Sequence, residues 1–159
     1  MTTPFQDLDD YLALGRLASL TASPDGRRLV VGRQVLDAEG TGFVTSLWEV
    51  NTDGVSPARH LTRGTKGESG ATFTASGDLL FVGHRAEPGT NEAEAKPCLW
   101  RLPATGGEAH VLARRPAGVS GVLAAERADS VLITADTLLA ASDEAREREL
   151  RKSRKELKV

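Results

Sequence analysis

Two serine-centred glycine motifs, three histidines and one cysteine are the residues of this chain whose types could support nucleophilic or metal chemistry. Ser69 sits in Gly67-Glu68-Ser69-Gly70-Ala71. That is one glycine short of the G-x-S-x-G elbow, which lifts a nucleophilic serine out of a sharp strand-to-helix turn. Position 71 is alanine, and no strand-then-helix frame is expected, so the segment reads as a loop between two structural units. Ser120, in Gly118-Val119-Ser120-Gly121, fails in the same way. His60, His84 and His110 are 24 and 26 residues apart, each on or beside a different strand. No pair has the short spacing of zinc ligands, and the lone thiol, Cys98, has no partner for a disulfide or a metal site. Cys98 reads as a small buried packing residue ahead of a strand. Gly64, Gly67 and Gly70 resemble a phosphate-cradling loop, but the lysine and serine or threonine of a P-loop do not follow. No residue is assigned a catalytic, cofactor-binding or metal-binding role.

The elements around these residues are more informative. "TASPDGRRLVVG" (21–32) is nearly repeated as "TASGDLLFVG" (74–83). Leu29-Val30-Val31-Gly32 aligns with Leu80-Phe81-Val82-Gly83 at an offset of 51, as does Gly26 with Gly77, with the second copy two residues shorter in the turn. Leu47-Trp48-Glu49-Val50 aligns with Leu99-Trp100-Arg101-Leu102 at an offset of 52. Asp53-Gly54 answers to Gly106-Gly107 at 53, and His60-Leu61-Thr62 to Val111-Leu112-Ala113 at 51. A third copy starts at Val131-Leu132-Ile133, behind the turn Glu126–Asp129, and no Leu-Trp strand follows.

A period near 50 points to a stacked or radial architecture. The first unit holds four short apolar or β-branched runs, Leu17–Thr21, Arg28–Val35, Val44–Val50 and Ala58–Leu61. They are broken at Pro24–Gly26, Asp37–Gly42 and Asn51–Gly54, where Asp-Gly pairs accept the positive φ that tight hairpins need. Four strands joined by tight turns make an antiparallel meander, and four-stranded units at this period are the blades of a β-propeller. The fold class is therefore all-β: an incomplete propeller of two blades (17–66 and 67–116) and part of a third (117–141). A helical solenoid would need apolar residues every 3.6 positions and fewer Gly-Asp turns. The consecutive apolar runs Leu29–Val31 and Leu80–Val82 suit strands covered on both faces. The Trp48 and Trp100 strands, interrupted by Glu49 and Arg101, should lie further out, with both indoles packed between units.

The ends differ in character. Pro4, Phe5, Leu8, Tyr11 and Leu12 predict a short amphipathic helix over 4–15 within an N-terminal segment 1–16. Residues 142–159 carry seven basic and five acidic side chains and predict a solvated helix, with Ser142 as its cap and Lys152, Lys155 and Lys158 near its C-terminus. The mixed charge argues against a nucleic-acid arm.

Ser23-Pro24-Asp25-Gly26 before an apolar strand, Leu47–Gly54 and His60-Leu61-Thr62 together resemble the blades of TolB-like propellers. With the opening helix and the charged segment 142–158, the chain resembles the N-terminal propeller region of the prolyl oligopeptidase family, in its acylaminoacyl-peptidase-like branch. The resemblance implies a propeller that caps a C-terminal α/β-hydrolase domain and restricts which peptides reach its serine, aspartate and histidine. This chain has no such domain, so it is expected to be inactive alone, its partners being the missing blades, the hydrolase domain and, in the whole enzyme, peptide substrates. A non-catalytic TolB-like module for protein–protein interaction is the alternative, and a free-standing small β domain a third.

Bulk properties set outer limits. The net charge of −2 does not drive nucleic-acid or membrane binding by itself. No apolar run approaches the ~20 residues of a membrane span, and the first residues lack a secretory pattern, so the cytoplasm is the default compartment. Two and a fraction blades cannot close a ring, and apolar surface without a neighbour predicts association. Arg33, Arg85 and the polar loop 87–97 are candidates to face an opening, without assigned roles.

Overall fold

The computed structural model describes residues 3, 5–62, 64–85 and 96–157. Pro4, Lys158 and most of the loop 87–97 lie outside the described residues, as do the first two residues of the N-terminal segment. The chain is mostly β. Strands β1 (Arg16–Ala22), β2 (Leu29–Leu36), β3 (Phe43–Val50) and β4 (Arg59–His60) form one antiparallel sheet, in that order. Strands β5 (Glu68–Phe73), β6 (Leu79–Gly83), β7 (Cys98–Leu102) and β8 (His110–Ala113) form a second of the same order. A third sheet pairs β9 (Gly121–Ala124) with β10 (Val131–Thr134). Helix α1 (Leu8–Ala13) precedes the strands and α2 (Glu144–Leu157) follows them.

The turns form as their chemistry dictates. Gly26 and Gly54 take φ of 70° and 68°, values costly for a residue with a Cβ. Ser23 N–H donates to the Arg28 carbonyl and Arg28 N–H to Ser23 Oγ. Thr74 does the same with Asp78. Ser23 therefore answers to Thr74, and the second turn is one residue shorter, where the letters suggested two.

That residue changes the register. Val31 opposes Trp48, and Phe81 opposes Trp100. The β2 run thus matches β6 at an offset of 50, and the 51 read from sequence is one residue out. Because strand side chains alternate between faces, the slip exchanges the two faces of the strand. The equivalence of His60 with Val111 holds, since these oppose Trp48 and Trp100 on the fourth strands.

The three sheets stack through two apolar layers. Val30 and Leu47 from the first sheet meet Phe73, Leu79, Phe81 and Trp100 of the second. On its opposite face the second sheet presents Leu80, Val82 and Leu99 to Val119 and Val122. β6 is buried throughout because both its faces are covered. In the Leu29–Val31 run, only Val30 is buried. The expectation of two covered faces fails for β2 because, among the described residues, no other sheet packs on the first sheet's far face.

The helices correct two expectations. α1 begins behind Asp7, whose carboxylate accepts from Asp9 N–H, and is shorter than 4–15. None of its residues is buried. At α2 the side chain that caps is Asp143, which accepts from Arg146 N–H at 2.8 Å, while Ser142 only donates to Asp143. α2 is not wholly solvated either: Glu147 is buried beneath Arg151, whose guanidinium also reaches the Asp136 carbonyl.

Candidate functional site

The most constrained polar cluster lies at the seam of the two four-stranded sheets. Leu47 N–H on β3 donates to Thr62 Oγ1, and Thr62 Oγ1 donates to Glu68 Oε2, both at 2.9 Å. Glu68 Oε1 accepts from Gly64 N–H at 2.9 Å and faces Arg85 Nε at 3.6 Å. Glu68 begins β5, so one buried carboxylate ties the first sheet, the linker and the second sheet together. A buried charge is tolerated only with an opposite charge and filled lone pairs, and both are present here.

Arg85 is held by aromatic faces. Its guanidinium lies 5.4 Å from the Trp100 ring centroid and 5.7 Å from that of Phe81. Arg85 Nε is buried without a hydrogen-bond partner among the described residues, so Coulomb attraction to Glu68 and the ring quadrupoles hold it. Outside it lies an open cleft of about 700 Å³, lined by His60, Thr62, Thr65, Phe81, Arg85 and Glu108 among others.

The glycine trio is explained by this cluster. A Cβ on Gly64 would lie 2.3 Å from Glu68 Oε1. The space that a bound phosphate would need is occupied by the chain's own carboxylate, which also consumes the Gly64 N–H. Gly67 takes φ of 84°, and a Cβ there would press on the Thr45 backbone at 3.2 Å.

Ser69 is not in a loop, as sequence suggested, but on β5 opposite Val82, beside a bulge. Alternation turns it away from Glu68. It lines a second cleft of about 320 Å³ with Lys66, His84 and Ser120. No hydrogen bond joins either serine to His84 among the described residues, and Ser120 Oγ instead bonds Thr134. Neither serine has the strand-to-helix turn that exposes a nucleophile. His60 lies in β4, His84 follows β6 and His110 lies in β8. Among the described residues, no three His, Cys, Asp or Glu side chains group as metal ligands do. Cys98 packs against the core, but it opens β7 instead of preceding it and is half-buried, where the sequence suggested a buried residue.

A second polar device escaped the sequence reading. Arg28 Nε donates to Glu49 Oε1 at 2.6 Å, and Arg59 reaches the other oxygen. In the second sheet the equivalent pair has reversed polarity: Arg101 donates to Asp78 at 2.7 Å. Burial pushes the Glu49 carboxyl up, but hydrogen bonds from Arg28 and Arg59 and their charges outweigh it, so its pKa lies below the usual glutamate value. The signal was present in the sequence as Arg28/Glu49 against Asp78/Arg101, visible only once the offsets are 50 and 52.

No protein-family model matches this chain, and no curated protein matches its sequence. Fold and site together define a mostly β chain of antiparallel meanders in which the buried Glu68 cluster fastens two sheets. Among the described residues, no helix is long and apolar enough to cross a membrane.

Proposed function

We propose that this chain is an N-terminal β-propeller segment of a serine peptidase of the prolyl oligopeptidase family, a part that gates peptides and does not cleave them. The observation that carries the reading is the repeated meander: two four-stranded sheets with tryptophans at the same register position, followed by the first hairpin of a third. The first strand of each sheet lies beside that of the next, β1 by β5 and β5 by β9, as strands around a propeller axis do. The clefts fit a non-catalytic part, because Glu68 already accepts from Thr62 and Gly64 and faces Arg85, and among the described residues no hydrogen bond joins Ser69 to His84. The missing blades and the hydrolase domain are the partners this reading requires, and the cytoplasm is its compartment.

The test is the reading frame beyond codon 159. Further repeats followed by G-x-S-x-G, aspartate and histidine are expected. Repeats ending in a stop codon would instead favour a TolB-like interaction module. The chain alone should show no turnover of acyl-peptide or aminoacyl chromogenic substrates, and hydrolysis blocked by a serine-directed inhibitor would overturn the reading.

A further inference from the structure

The molecule makes one sheet-on-sheet contact twice and leaves both of its complementary surfaces exposed. The first sheet's Val30/Leu47 face covers the second sheet's Phe81/Trp100 face, and the second sheet's Leu80/Leu99 face covers the hairpin β9–β10. By register, the far face of the first sheet is the equivalent of the Phe81/Trp100 face. It carries Leu20, Val31, Trp48 and His60 as one cross-strand row. Leu17 and Leu20 on it are 75% and 69% exposed. At the other end, Leu123 and Leu132 oppose each other on the far face of the third sheet, 66% and 59% exposed. That face is the equivalent of the one with which each earlier sheet covers its successor.

We propose that a second copy of this chain occupies these surfaces head to tail: the Leu123/Leu132 face of one copy seats on the Leu20/Val31/Trp48 face of the next. The occupant follows from continuity with the contacts already formed. Any copy presents the required partner face, in the strand order that sets β1 beside β5 and β5 beside β9. Apolar surface of this kind marks an interaction site. The two contacting surfaces differ, so the association is heterologous and either closes into a ring or runs on. Two copies supply six sheets, within the about 4–8 units of closed radial folds. The proposal rests on sheet geometry and not on peptidase activity, but it seats a second copy on the faces that the peptidase reading gives to the missing blades, so further blades encoded beyond codon 159 would overturn it.

Sedimentation velocity of the whole chain tests it. The wild type should sediment at twice 16.9 kDa or above. Leu20→Arg and Leu132→Arg, each spoiling one face, should sediment as monomers with unchanged far-ultraviolet circular dichroism. Mixed one to one they should regain a dimer, because each supplies the face the other lacks. A wild type that stays monomeric at hundreds of micromolar, a single variant that still dimerises, or a mixture that does not recover would overturn the proposal. If an arginine variant loses its dichroism signal, the cysteine pair decides. In a Cys98→Ser background, Leu20→Cys and Leu123→Cys chains should cross-link to each other under mild oxidation and not to themselves, and the reverse pattern would overturn it.

Discussion

Trp48 and Trp100 hold the same place in successive sheets, yet they satisfy themselves differently. Trp100 is covered by the first sheet, donates its indole N–H to the Gly83 carbonyl and has Arg85 over its ring. Trp48 has no sheet above it among the described residues. It donates to Ser46 Oγ, stacks on His60 at 4.4 Å and carries Arg33 at 5.8 Å. The difference teaches that the strand sequence sets the register, while the neighbouring sheet decides whether the indole contributes core packing. Where no sheet covers it, the tryptophan is half-shielded by polar side chains of its own sheet.

The largest effect should separate these two residues. Trp100→Ala removes a ring from a filled layer and should cost about 3–5 kcal/mol, whereas Trp48→Ala, losing only exposed-face contacts, should cost about 1 kcal/mol. Urea unfolding of both variants at low protein concentration checks this, and equal losses would show that the two environments are alike.

Glu68→Ala should come next, at about 3 kcal/mol, because it leaves the half-buried Arg85 guanidinium without its counter-charge and the buried Thr62 hydroxyl without its acceptor. Thermal melts should place it well below Glu49→Ala, whose arginines can turn to water. A loss no larger than that of Glu49→Ala would mean that the seam carboxylate is not buried in solution.

The meander order, the four strands per sheet and the positive-φ turns were legible because hairpin chemistry is local. Asp25-Gly26 and Asp53-Gly54 need no distant partner to mark a turn. The faces were not legible, because identical letters in "TAS" concealed that Ser23, not Thr21, corresponds to Thr74, and a strand of period two turns one such slip into an inversion. Glu68 was missed for a different reason: an acid between glycines reads as solvated until Thr62 and Gly64 are brought to it. In α2, Glu147 likewise looked like one charge among many, although Arg151 and the segment after β10 enclose it.

The reversed ion pairs allow a finer test of the same comparison. Exchanging the partners of one pair, as Asp78→Arg with Arg101→Asp, should recover most of what either single change loses. The coupling should be about 0.5–1 kcal/mol, since the pair is partly exposed. No recovery would show that the Ala104 N–H, which Asp78 also accepts, matters more than the pair.

The smallest expected effect is on acid stability. The folded-state pKa of Glu49 lies below its unfolded value, so the stability it contributes is fully present above the unfolded pKa, near 4.3, and is lost as pH falls through the folded pKa. Glu49→Gln should therefore lower Tm at pH 7 and converge on the wild type as the solution is acidified past that range. Arg59→Ala should move the same limb upward by a smaller amount, because Arg28, the less exposed of the two arginines, keeps its hydrogen bond. A Glu49→Gln deficit that persists undiminished at low pH would show that the side chain acts by shape and not by charge, in which case Arg28 is held mainly by Phe73 and the Gly77 carbonyl across the sheet boundary.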